Sequence, residues 1–376
     1  MYFRFFFIKL LISLTCCLNG YNQKINLQAV DYPSQGVQCI YRDHEGFLWT
    51  GNAEGLFRYD GNNFKYFTHI QGDTSSLSGN SVYCIGEDSA NNLWIGTENG
   101  LNRFNRLDET FTAYLPRKIP GSISSLVIKS MLLDEQGNFW IGTRKGLNKL
   151  DEQNNAVAFE SFFPNREDTM STSEWSFERL YESSNGEIWG CTWKGGLLHF
   201  NPLTKEFTSY KEHSLFPDDN DNIFKTIVEV NDNKLLISTW NQRVLLFDLK
   251  EKKFLNNTAL GTLISKKLNP ANGINDFLVD RENNLWVAHG EGLLVIDLDI
   301  LSTLALPGKT KESRVESLTN KLSVTSLLED KEGTVWVGHL NHGLKKYDPE
   351  AAVFNKWFVP FKPESNRRDY VTGVLA

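Results

Sequence analysis

Cysteine is scarce in this chain. Past the first twenty residues, only Cys39, Cys84 and Cys191 remain of the five in the sequence. An odd, widely spaced set makes no disulfide framework, and with no CxxC pair it makes no zinc site. Cys39 and Cys84 fall at the same point of two similar segments, VQCI and VYCI, so buried strand positions are expected for both. Positive charge is also short: the net charge is −7 and no basic block stands out. That argues against a nucleic-acid or acidic-lipid partner. Long apolar runs are confined to the start. MYFRFFFIKLLISLTCCLNG carries Arg4 and Lys9, then apolar residues to Leu18, then small and polar ones. Residues 1–20 therefore read as a secretory signal, too short for a comfortable membrane span. A retained N-terminal anchor is the alternative. Lipidation at Cys16 or Cys17 is disfavoured because SLTCC lacks the usual small residue before the cysteine.

What the chain has instead is repetition. NNLWIGTENGLNRF returns as GFLWTGNAEGLFRY, GNFWIGTRKGLNKL, GEIWGCTWKGGLLHF, NKLLISTWNQRVLLF, NNLWVAHGEGLLVI and GTVWVGHLNHGLKKY. Aligned on Trp49, Trp94, Trp140, Trp189, Leu236, Trp286 and Trp336, the copies are spaced by 45, 46, 49, 47, 50 and 50 residues. Periods of this size mean a propeller or a solenoid. Twelve residues before each marker lies an apolar residue, from Val37 and Val82 to Val324, and three residues further on comes a second. This is an inward-facing first strand. It ends in turns such as DHEG, DEQG and DKEG, then come the marker strand, a Gly-bearing turn and a third strand. FKYF, FTAY, FESF, FTSY and FNKW mark a fourth.

Four antiparallel strands per unit, with no helical period between them, describe a blade. Seven units over residues 21–369 predict an all-β fold, a seven-bladed β-propeller of four-stranded antiparallel blades with almost no helix after the signal. INLQAV (Ile25–Val30) is expected to close the ring as an outer strand of the last blade. YVTGVLA, residues 370–376, matches the first strand of an eighth repeat whose tryptophan would fall at about position 383. The repeat is therefore expected to continue in a longer protein. Asp43, Asp88, Asp134, Asp280 and Asp330 recur after the first strand. Turn formation explains them, and no metal or cofactor is assigned.

These motifs, GNFWIGTRKGLNKLD above all, resemble the two-component regulator propeller repeat. The opening segment resembles the N-terminal blade of the periplasmic sensor region of hybrid two-component systems. Val230 and Leu236 depart from the pattern. The resemblance implies an exported, periplasmic input domain for signal transduction, one that precedes a second propeller, an immunoglobulin-like domain, a membrane helix and a histidine kinase core. It also implies a carbohydrate breakdown product as the signal, and a homodimer in the full-length protein. Kinase motifs are absent from this chain, so no enzyme activity is expected of it. A polysaccharide lyase or glycosidase and a plain interaction scaffold are the competing classes.

Strand alternation puts the turns between second and third strands on the rim of the blade-to-blade connections, opposite the Asp turns. Trp193 and Trp240 occupy equivalent turns of that rim in consecutive blades. Trp175 lies in the connection leading to the first of them, and Arg144, Lys145, Lys194 and Arg243 are placed nearby. Aromatic faces beside planar hydrogen-bonding groups suit a sugar, especially one with a carboxylate or sulfate. Trp193, Trp240 and Arg243 are expected to line one accessible depression. Packing against the neighbouring blade is the alternative for both tryptophans. His289, His339 and His342 fall on the next two blades, with no metal or general-base role assigned. Leu236 in the tryptophan slot and Arg243 in a glycine slot single out the fifth blade, whose WNQR turn is expected to project farther from the rim.

Overall fold

The repeat unit folds as a sheet because one of its strands has nowhere polar to face. The second strands, such as Leu93–Thr97, Phe139–Thr143, Ile188–Thr192 and Val335–His339, are buried at every position. Strands buried on both faces need sheets on both sides. The computed structural model describes residues 25–153, 156–164, 175–212, 223–230, 233–240, 243–255, 259–268, 273–299, 315–318 and 322–349. Within them lie seven four-stranded antiparallel sheets, each made of strands consecutive in the chain except the last. The first strands pack on one another from blade to blade, and that of blade 7 (Val324–Glu329) packs on that of blade 1 (Cys39–Arg42). They therefore line the axis of a closed seven-bladed propeller. The blades occupy Leu27–Tyr347 as one compact unit.

Closure uses the start of the chain as expected. Gln28–Ala29 pairs with Leu344–Tyr347, Gln28 opposite Lys346 and Ala29 opposite Lys345, and Val30 N donates to Leu344 O at 3.0 Å. An early strand paired with the third strand of the last blade ties the ring shut, because opening it would break those ladder bonds. FNKW, the signal segment and the incomplete eighth repeat all lie outside the described residues. Two outer strands that the sequence pattern did not mark are Lys253–Leu255 in blade 5 and Val315–Leu318 in blade 6. A nine-residue helix, Ala259–Lys267, is consistent with the expectation of almost no helix. Its Leu260 and Ile264, with Leu268 just beyond, recur at every fourth position and bury into the core shared by blades 5 and 6.

The marker tryptophans join the blades. Trp49 meets Phe104 at 5.1 Å between ring centroids, Trp140 meets Phe200 at 5.3 Å and Trp189 meets Phe247 at 5.4 Å. Each partner belongs to the following blade, and Trp336 reaches Tyr59 of blade 1. Each indole N–H still needs an acceptor. Trp49, Trp94, Trp140, Trp286 and Trp336 donate Nε1 to Oδ2 of the aspartate six residues earlier, at 2.7–2.8 Å. The other oxygen of each aspartate accepts a backbone N–H of its turn. The recurring aspartates thus build turns, as the sequence suggested, and also hold the core tryptophan. Blade 4 substitutes Ser183 for the aspartate, at 3.0 Å from Trp189 Nε1. Blade 5 has Leu236 and needs no acceptor, and apolar Val230 stands in the aspartate slot.

A second clasp runs between blades on the same rim. Oε2 of Glu87, Glu182, Glu229 and Glu329, near the ends of first strands, accepts the backbone N–H of His44, Glu135, Ser184 and Arg281 in the preceding blade. For Glu182, burial raises the carboxyl pKa, and the charges of Asp134 and Glu135 add to the shift. Its Oε1 is buried with no hydrogen-bond partner among the described residues. A carboxyl with a raised folded-state pKa contributes stability at low pH and loses it as pH rises past the ordinary value. Glu182→Gln keeps an acceptor for Glu135 N. It is expected to raise the urea midpoint at neutral pH and leave it unchanged near the ordinary carboxyl pKa. A lower neutral midpoint would show that the charge itself holds the clasp.

Candidate functional site

The rim opposite those turns surrounds the axial mouth. In six blades, the residue after the second strand donates its N–H to the residue just before the first strand of the same blade. These bonds are Glu98 to Ser81, Arg144 to Val127, Trp193 to Ser176, Trp240 to Ile223, Gly290 to Gly273 and Leu340 to Ser323, all 2.9–3.2 Å. Arg144, Trp193 and Trp240 are therefore equivalent mouth positions in blades 3, 4 and 5. The backbone fixes each beside the axis, so the side chain alone differs.

The structure brings the two predicted tryptophans together. Their ring centroids are 5.2 Å apart at an interplanar angle of 65°, an edge-to-face pair. Trp240 is 52% exposed, and Trp193 is half-buried. Trp175 does not share this role. Its indole packs over Gly195, where a Cβ would stand 2.8 Å from Cε3, and it joins the core cluster of blades 3 and 4. Lys194 follows Trp193 with φ +89°, left-handed backbone that a lysine adopts only where the turn demands it. Arg144, Lys145 and Arg243 are exposed. Arg243 closes its turn through Thr239, accepting from Thr239 N at 2.9 Å and donating N–H to Thr239 Oγ1 at 3.0 Å. Asn241 and Gln242, the tip of the WNQR turn, lie outside the described residues. In blade 7 the same closing bond, His339 N to Gly343 O, also spans four residues, so blade 5 shares its turn length with another blade.

The histidines are a correction. His289 and His339 end second strands in the slot held by Thr97, Thr143, Thr192 and Thr239, and only 1% and 2% of their surfaces are exposed. They belong to the core beside the turns, since the threonine slot faces inward. His289 Nδ1 accepts Glu291 N at 3.1 Å, the turn bond that Thr97 Oγ1 makes to Asn99 N. His342 alone is exposed.

Sequence reasoning missed the charged groups below the mouth. In six first strands the register shifts by one residue, at Tyr83, Lys129, Glu178, Lys225, Asn275 and Thr325. A bulge re-aims its extra side chain. Here these residues meet neighbour to neighbour around the axis. Lys129 Nζ lies 4.5 Å from the Tyr83 ring and 3.6 Å from Glu178, and Lys225 donates to Asn275 Oδ1 at 2.6 Å. Asn275 Nδ2 donates to Val324 O, and Thr325 Oγ1 to Val37 O. The next slot holds Cys39, Cys84, Ser130, Arg179, Thr226, Asp276 and Ser326. Six are small or short; Arg179 reaches past blade 5 to Asp276 Oδ1 of blade 6, at 2.7 Å. Comparing the seven repeats in that column would have marked Arg179 and Asp276. Cys39 and Cys84 bond to backbone carbonyls of the next blade, and burial pushes the Cys39 thiol up to about 12. Both are structural, as expected.

Comparison with known proteins follows the fold. A sequence model of the two component regulator propeller matches residues 76–99, 122–145 and 317–341; the first two fall in blades 2 and 3, and the third runs from the outer strand of blade 6 into blade 7. No curated protein gives a significant match. The chain is similar to the solved extracellular domains of the hybrid two component systems BT3049 and BT4673 from B. thetaiotaomicron. Identities are 20% and 21%, and TM-scores 0.67 and 0.64. These alignments cover 86% and 87% of this chain but 42% and 43% of those, so the chain spans less than half their length. It is also similar to virginiamycin B lyase from Staphylococcus aureus, with 10% identity, TM-score 0.60 and coverage of 86% and 99%. No helix among the described residues is long and apolar enough to cross a membrane.

Proposed function

We propose that this chain is the periplasmic input propeller of a two-component sensor and that its axial mouth binds an oligosaccharide released by polysaccharide breakdown. The observation that carries the binding reading is the Trp193–Trp240 pair. Two indoles in equivalent turns of adjacent blades meet edge to face, and one stays half exposed at a mouth flanked by Arg144, Lys194 and Arg243. Aromatic side chains are ordinarily covered; one exposed against a second and beside hydrogen-bonding groups is a stacking platform for a sugar ring. The two-component repeat match and the similarity to extracellular sensor domains support the signalling role. We assign the chain no reaction. Its signal would pass to further domains of a longer protein, a second propeller and an immunoglobulin-like domain among them, and a homodimer would be the signalling state.

Trp240→Ala and the Trp193→Ala/Trp240→Ala pair test the site by calorimetric titration with a panel of plant and host oligosaccharides. With about 0.5–1.5 kcal/mol for each stacked aromatic, the single substitution is expected to weaken binding severalfold and the pair to abolish it. The thermal midpoint of Trp240→Ala should stay close to that of the unaltered protein. Unchanged affinity in the single variant, or a midpoint that falls by several degrees, would make the pair core packing instead.

A further inference from the structure

We infer that the axial well beneath the tryptophan pair binds the carboxylate or sulfate of an acidic saccharide, and that Lys225 is the residue that reads it. This rests on the mouth reading above and adds to it the charge of the ligand and a recognition group outside the rim. Lys225 is the bulge residue of the first strand of blade 5. Its Nζ stands 5.3 Å from the centroid of the Trp240 ring and donates to Asn275 Oδ1 at 2.6 Å. The ammonium is therefore held at a fixed point directly against the proposed stacking platform.

Among the described residues no carboxylate pairs with Lys225. Lys129, the equivalent residue of blade 3, has Glu178 at 3.6 Å. Lys225 forms no ion pair among the described residues. Asp276, the buried carboxylate of the next blade, is already occupied. Its Oδ1 accepts from Arg179, Thr226 Oγ1 and Phe277 N, and its Oδ2 from Leu327 N. Burial lowers the Lys225 pKa, and Glu178 and Asp276 only partly offset this from a longer range. A half-buried ammonium whose one hydrogen-bond acceptor among the described residues is a neutral amide is an incomplete charge site, and an anion completes it. Arg179, 44% exposed in its side chain, is already paired with Asp276 at 2.7 Å and so is not a competing cation for the ligand. A neutral sugar would stack on Trp240 and leave Lys225 as it is. An acidic sugar would stack and be held by charge at once.

The test is titration of the protein with glucuronate- and galacturonate-terminated disaccharides, a sulfated disaccharide, and neutral disaccharides of the same linkages. The acidic ligands are expected to bind at least about tenfold tighter, with the advantage shrinking at high salt. Lys225→Met is expected to bring the acidic ligands to the affinity of the neutral ones and leave the neutral ones unchanged. Lys225→Arg should restore part of the preference. A melting curve for Lys225→Met that matches the unaltered protein confirms folding. Equal affinity for acidic and neutral ligands, all weakened severalfold in Trp240→Ala, overturns the acidic assignment and leaves the mouth reading standing. A preference that survives Lys225→Met overturns the role of Lys225. No binding by any disaccharide overturns both readings.

Discussion

Asp134→Ala is expected to destabilise the ring by about 2–5 kcal/mol, the cost of leaving more than one buried donor without an acceptor. Asp134 Oδ2 accepts Trp140 Nε1 at 2.7 Å, and Oδ1 accepts Asn138 N at 2.7 Å and Asn138 Nδ2 at 3.1 Å. Asp134 and Trp140 are 5% and 2% exposed, so water cannot replace the lost carboxylate. The protein itself supplies the control. In blade 5, where the indole is missing, the aspartate slot holds Val230, and both it and Leu236 are buried. The combined Asp134→Val/Trp140→Leu variant should therefore lose less than the sum of its single substitutions. The second change removes the donor that the first left stranded, although the smaller leucine also opens a cavity. Urea denaturation of the four proteins gives the coupling. A loss below about 0.5 kcal/mol for Asp134→Ala would place it among ordinary surface substitutions and remove the aspartate–indole bond from the account of the core.

Mild acid should unfold the protein more readily than it unfolds a His339→Thr variant. Burial pushes the His339 pKa from its ordinary 6.5 down to about 4, and the nearby positive groups Lys345 and His342 push the same way. Neither ring nitrogen has a hydrogen-bond partner among the described residues. A histidine depressed in the folded state contributes stability above its unfolded pKa, and that stability is lost as pH falls toward the folded value. The window therefore runs from 6.5 down to about 4. Across it, the difference amounts to about 3 kcal/mol. Threonine is the repeat's own residue in this slot, with a hydroxyl that bonds the turn carbonyl in blades 2 and 3. His339→Thr is less stable at neutral pH if the lost volume leaves a cavity, so the informative quantity is the slope of stability against pH. Between pH 6.5 and about 4 the variant should lose less stability than the unaltered protein, by about 3 kcal/mol in total. Equal slopes would show that His339 takes up its proton as readily in the folded ring as in the unfolded chain.

What the sequence made legible was whatever repeats. The tryptophan column, the aspartate six residues before it and the glycine turn recur in enough copies to give blade number, strand order and the closing strand. The mouth was legible for the same reason. Trp193 and Trp240 stand at one repeat position, and equivalent backbone positions around an axis converge. Trp175 was misjudged because it lies in a connection with no repeat to fix its direction. The helix Ala259–Lys267 is a single insertion, although Leu260, Ile264 and Leu268 carry its spacing. The bulge at Lys225 was hidden for a different reason. The same extra residue occurs in six of the seven first strands, so the spacing stays regular and nothing in the alignment marks it. His289 and His339 were placed on the rim by counting residues from the tryptophan. Counting does not tell which way a side chain at a strand end faces.

The most direct test of the mouth as the binding site is hydroxyl-radical footprinting of the ten tryptophans in the chain, with and without the oligosaccharide that binds best. In the free protein Trp240 should be oxidised readily, because the marker tryptophans Trp49, Trp94, Trp140, Trp189, Trp286 and Trp336 are buried. With ligand bound, Trp240 should be protected and Trp193 to a lesser degree. A saturating ligand that leaves Trp240 as reactive as before would contradict the account and put the binding site elsewhere on the ring.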